Sequence, residues 1–159
     1  MNTENDRCIN DCENEILKIM QWAEENKFHS NVRFLVNYAV IKASGTTEIV
    51  FKSLLHSFLS EGCKTETQKF LEKRILDLSC NPSTGNMERL LDQIDPKRKK
   101  AFSEKIKGTP EQNDLNSLVS IRNDIAHGRS VTTTITNVKR CFESGKIIIN
   151  ILDSILNSN

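Results

Sequence analysis

The chain has 159 residues, 37% hydrophobic and 27% charged, with a net charge of +1. That length suits one domain with a sizeable core, and the composition is that of a folded globular chain, not a disordered one. A charge so close to zero leaves no bulk electrostatic commitment to nucleic acid.

The predicted elements are almost all helical, because apolar residues recur every three to four positions and strand-like alternation is nearly absent. A first helix fits residues 6–26, with Ile9, Ile16, Leu17, Ile19, Met20 and Ala23 inward. Ser30 is placed to cap a long second helix running towards Glu61 and stopped by Gly62. A third helix fits 66–78, ended by the turn signal Asn81-Pro82-Ser83-Thr84-Gly85. Two short pieces, 87–94 and 97–107, carry little apolar surface and read as an exposed insert spanning 81–108. Thr109-Pro110-Glu111-Gln112 is a strong start: a capping threonine, proline at the first helical position and glutamine at the third. That helix is expected to run to His127, with Gly128 as its left-handed cap. A threonine-rich link, 131–134, then leads into an isoleucine-rich last helix holding Ile135, Ile147, Ile148, Ile149, Ile151 and Ile155. The fold expected is all-α, an up-and-down bundle of about four long helices plus short extra ones, forming a single domain over 1–159.

No CxxC pair occurs among the five cysteines, and no histidine completes a zinc set with Cys8 and Cys12, so reduced thiols are expected. The apolar stretches are broken by charge before they reach membrane-spanning length. The polar, acidic start Met1–Asp6 is unlike a secretory or mitochondrial leader, and the location expected is cytoplasmic. Lys97-Arg98-Lys99-Lys100 is a basic run with two readings, a phosphate contact or an ordinary solvated helix surface.

The most informative segment is Arg122-Asn123-Asp124-Ile125-Ala126-His127. On a helical wheel Leu115, Leu118, Val119, Ile125 and Ala126 form one apolar face with Arg122 in its middle. Asn116, Ser120, Asn123 and His127 make a polar row beside it, and Asn123 and His127, four apart, can touch one ligand. An arginine amid leucines either snorkels or pairs with a buried carboxylate. Glu48 is the candidate partner, since it falls among Phe34, Ile41, Leu55 and Leu59; Lys52, one turn on, could neutralise it instead. A histidine at a helix C-terminus is favoured by the helix dipole alone, so its meaning depends on its neighbours. His29 and His56 have no such neighbours and are read as ordinary histidines.

Arginine, amide and histidine together are parts that cut RNA. The 2′-hydroxyl is a built-in nucleophile. Histidine can take or give a proton near neutral pH, and the guanidinium matches phosphate oxygens and stays charged. No cofactor is needed, and no carboxylate cluster is placed to hold a metal. One chain supplies a single well-placed histidine, so a symmetric dimer that joins two such helix ends would supply the second, with the apolar face around Arg122 as the expected interface.

At these residues the chain resembles the HEPN superfamily. Arg-Asn-x-x-x-His closing a helix in a small all-α domain is the main likeness, best from Leu118 to Leu156. Val36 to Leu55, with Ala43-Ser44-Gly45 and Glu48, is similar to the RiboL-PSP branch. The resemblance covers 30–156, with 81–108 looking specific to this protein. It implies a homodimeric, metal-independent endoribonuclease with RNA as substrate, of the kind found in toxin–antitoxin and phage-defence systems, where an antitoxin or defence-system protein is a partner. It implies Arg122 and His127 as the catalytic pair, Asn123 as the polar residue between them and Glu48 as a supporting residue. Where some family toxins carry a modified tyrosine two residues past the histidine, this chain has Arg129, expected to add a phosphate contact. The competing expectation is a non-catalytic interaction or nucleotide- or RNA-binding module.

Overall fold

In the computed structural model, which describes residues 3–77 and 80–158, the chain runs through seven α-helices. They are α1 (Thr3–Glu25), α2 (Val32–Ser60), α3 (Thr65–Leu71), α4 (Thr84–Ile94), α5 (Pro96–Ile106), α6 (Pro110–Ala126) and α7 (Ile135–Leu156). A π-helical turn, Glu72–Leu76, prolongs α3; residue 78, where the sequence predicted that helix to end, lies outside the described residues. No strand occurs among the described residues. The expected all-α bundle is what forms, with α1, α2, α6 and α7 as its long members.

The starts follow local chemistry. Thr109 Oγ1 accepts from the Gln112 N–H at 3.2 Å, and the Gln112 side chain accepts from the Gly108 N–H at 3.0 Å, so both ends of the motif are used. Ser83, Asp95 and Thr134 cap α4, α5 and α7 in the same way. The supposed turn at 81–85 is therefore a helix start: Ser83 is the cap, and Thr84 and Gly85 already belong to α4. Ser30 does not cap α2, which begins at Val32 behind Asn31 with no side-chain cap.

Pairwise contacts set the directions. Glu15 of α1 takes hydrogen bonds from Tyr38 Oη at 2.6 Å and Lys42 Nζ at 2.9 Å of α2. Asp114 of α6, buried, accepts from Arg140 Nη1 at 2.6 Å and Ser144 Oγ at 3.0 Å of α7. These pairings make α1/α2 and α6/α7 antiparallel hairpins. The hairpins meet closely at Gly145, where an added Cβ would sit 3.4 Å from Thr47 Oγ1 and 3.5 Å from Leu115 Cδ1. Small buried residues on α2 (Ala39, Ala43, Ser44, Thr46, Thr47) let its neighbours approach.

Two expectations about burial fail. Phe34 is 68% exposed and Ile41 is also exposed, although both were assigned to an inward stripe with Glu48. The inward face of α2 is instead the small-residue face with Val50, Phe51, Leu54 and Leu55. The segment 81–108 is also not an exposed insert: Met87, Leu91, Phe102 and Ile106 are completely buried in the common core. Leu17 and Ile147 turn outward as well.

Burial pushes the Cys12 thiol up from 9.0 to about 11, a hydrogen bond with Thr46 only partly offsetting it. The folded state holds this proton more tightly than the unfolded one, so its stabilisation is complete below pH 9 and lost as pH rises through 11. Urea unfolding is expected to lose about 3 kcal/mol at most across that window from this group. Cys12→Ala should flatten that part of the pH profile; an unchanged slope would show the thiol is not the cause.

Candidate active site

The end of α6 is built by its cap. Gly128, at φ 70°, turns the chain, its N–H donating to Ile125 O at 3.0 Å while Arg129 N–H donates to Asp124 O at 2.8 Å. The His127 N–H donates to Asn123 O at 3.0 Å. The backbone at this end is thus satisfied without using the His127 ring, which is exposed and bonds to no described side chain.

Arg122 is half-buried, and its Nη1 donates to Asn123 Oδ1 at 3.3 Å. Among the described residues it forms no ion pair. Glu48 does not reach it: that carboxylate pairs with Lys52 Nζ at 2.7 Å and accepts from the Cys80 N–H at 3.3 Å. The levels explain this. Thr47 and Leu115 both lie against Gly145, and Arg122 is seven residues down α6 from Leu115, about 10 Å at a helical rise. Glu48 therefore anchors the chain entering α4 and leaves the guanidinium without a carboxylate.

The other predicted positions divide. Arg129 is at the same helix end but is held by Asp124 at 2.9 Å. Arg98 is spent on the fold, donating to the Ile155 carbonyl and to Leu156 O at 3.0 Å and stacking over Phe58 at 4.8 Å. Those carbonyls close α7, some twenty residues and about 30 Å from its start beside the His127 link. The run Lys97–Lys100 belongs to that far end, and Lys100 is near Glu104 at 3.9 Å. Asn116 is also spent, accepting from the Thr84 N–H at 3.0 Å. The apolar face of α6 is used inside the chain, with Leu115, Leu118 and Val119 buried and Ile121 and Ile125 against the core; Ala126 is exposed. Most of that face is therefore covered within the chain.

Near this end lie Arg33, which the sequence does not single out, and His29, which it reads as an ordinary histidine. Arg33 of α2 donates to Ser130 Oγ at 3.2 Å, and His29 lines the same cleft as the link after His127. Their proximity depends on a contact 97 residues apart, which no local pattern signals.

Among the described residues no three His, Cys, Asp or Glu side chains converge as a metal site, and no helix is long and apolar enough to cross a membrane. The helical hairpins and the Arg-Asn-x-x-x-His helix end define a HEPN-type domain. The chain matches the RiboL-PSP-HEPN family model over residues 8–158 and belongs to that family. No curated protein and no solved structure matches it.

Proposed function

We infer that the protein is a metal-independent endoribonuclease acting as a homodimer, an effector of bacterial growth arrest or antiviral defence. The observation that carries this is Arg122: a half-buried guanidinium, steadied by Asn123, with no carboxylate to neutralise it and a histidine one turn away at an exposed helix end. A half-buried guanidinium that no carboxylate neutralises is open to an anion, and a phosphate would supply the missing charge. In the reaction, one His127 takes the proton from the 2′-hydroxyl as that oxygen bonds to phosphorus. The bond from phosphorus to the 5′-oxygen breaks, and the partner's His127 protonates the departing oxygen. Arg122 stabilises the charge on the phosphorane between them.

The second copy has a place to dock. Phe34, Tyr38, Ile41 and Ile49 recur at helical spacing on the outer face of α2 and are exposed. That stripe begins next to Arg33, at the same end of the bundle as His127. Pairing two copies in parallel along it, about a two-fold axis that runs with α2, would bring two Arg122–His127 ends together.

Cleavage of total RNA in EDTA by wild type, and not by His127→Ala, is the expected result. Ile41→Asp should reduce the solution mass from twice 18.1 kDa to one chain and remove cleavage with it. A fully active Ile41→Asp monomer would end the shared-site reading.

A further inference from the structure

The turn before α2 and the link after His127 face each other across an open cleft of about 400 Å³. His29, Arg33 and Asn37 form one side, and Ser130, Thr132 and Thr133 the other. The Arg33–Ser130 hydrogen bond crosses it at 3.2 Å.

Its chemistry is one-sided. The lining offers a guanidinium, an imidazole, an amide and several hydroxyls, and no carboxylate. Arg33 is exposed, and among the described residues Ser130 is its one hydrogen-bond partner, so most of its five donors remain free for a ligand. His29 Nδ1 accepts from the Asn31 N–H at 3.1 Å, which in the neutral ring leaves Nε2 as the donor. The ring is braced edge-on by Trp22, with centroids 5.4 Å apart. Cationic and neutral donors with hydroxyls, unopposed by an acid, match a phosphodiester and its ribose. Phe28, next to His29 in the chain, is fully exposed, as a ring that stacks on an unpaired base must be.

The cleft is also adjacent to the reaction. Ser130 follows His127 by three residues, no more than about 10 Å of extended chain. A strand bound in the cleft thus continues directly to the helix end.

We propose that this cleft is a nucleotide subsite for single-stranded RNA, next to the position cut at His127, with Arg33 on a phosphate and Phe28 stacked on a base. The proposal rests on the ribonuclease reading and extends it, since it names the residues that hold the strand beside the reacting phosphate.

The test is anisotropy of a short, fluorescent single-stranded RNA, 2′-O-methylated throughout to remove the nucleophile, titrated with wild type, Arg33→Ala and Phe28→Ala. Each substitution is expected to weaken binding about tenfold. Arg33→Ala should also lower the salt dependence by roughly one phosphate contact. With unmodified RNA both variants should raise KM and leave kcat largely intact. Phe28 buries nothing, so its variant reads binding without a folding change; thermal melting checks Arg33→Ala. Wild type that binds the methylated RNA but cuts no RNA would end the ribonuclease reading and leave the subsite standing. Both variants binding as tightly as wild type, or no binding by wild type, would overturn the subsite.

Discussion

His127→Ala is expected to lower kcat for RNA cleavage by about 10²–10⁴-fold, the usual loss when a general acid–base is removed. Folding should not suffer. The residue sits at an exposed cap position, its backbone N–H bond to Asn123 O survives in alanine, and Gly128 still makes the turn. Arg122→Ala should cost about 10²–10³-fold, because the phosphorane loses its cation. Arg122→Lys keeps the charge and loses the fork, so an intermediate rate is expected. Single-turnover rates with circular dichroism on the same samples separate chemistry from folding. Unfolding of Arg122→Ala with a normal rate in Arg122→Lys would assign the arginine to packing instead.

Phe102→Ala is expected to be the most damaging single change to stability. Its ring is completely buried in the core shared by all the long helices, and large-to-small changes there cost about 3–5 kcal/mol. Against a total of about 5–15 kcal/mol for a domain, that lowers Tm by roughly 10 °C in a single transition. If α4 and α5 were a peripheral addition, the main transition would stay in place and only a minor, earlier one would move.

That second case shows where the sequence was hard to read. Met87 and Leu91, and Phe102 and Ile106, are each four apart, which is the helical signature of a buried edge. Their helices are short and otherwise polar, so the sparse apolar count outweighed the spacing. On α2 the difficulty is reversed. It carries apolar or small residues around most of its circumference, and hydrophobicity alone put Phe34 and Ile41 inside. Around the level of Gly145 the buried face is lined by alanine, serine and threonine, because the close approach there leaves little room for larger side chains.

Local chemistry was legible. The Thr109–Gln112 start and the Gly128 stop of α6 are set by neighbouring residues, and they place Arg122, Asn123 and His127 at one helix end. What the sequence could not decide was the partner of Glu48. A carboxylate and two candidate cations fit a wheel equally well, and the choice of Lys52 follows from the level at which α2 meets α6. The same holds for Arg33 and for the cluster that joins Asp114 to Arg140 and Ser144, each made by residues far apart in the chain.

The central claim is that the RNA itself supplies the nucleophile while Arg122 and His127 supply charge and protons. The most direct measurement is the chemistry of the ends left on a defined RNA cut in EDTA by the protein. Attack by the 2′-hydroxyl predicts a 2′,3′-cyclic phosphate on one fragment and a 5′-hydroxyl on the other. Fragments ending in 3′-hydroxyl and 5′-phosphate, or cutting only after a divalent metal is added, would contradict it.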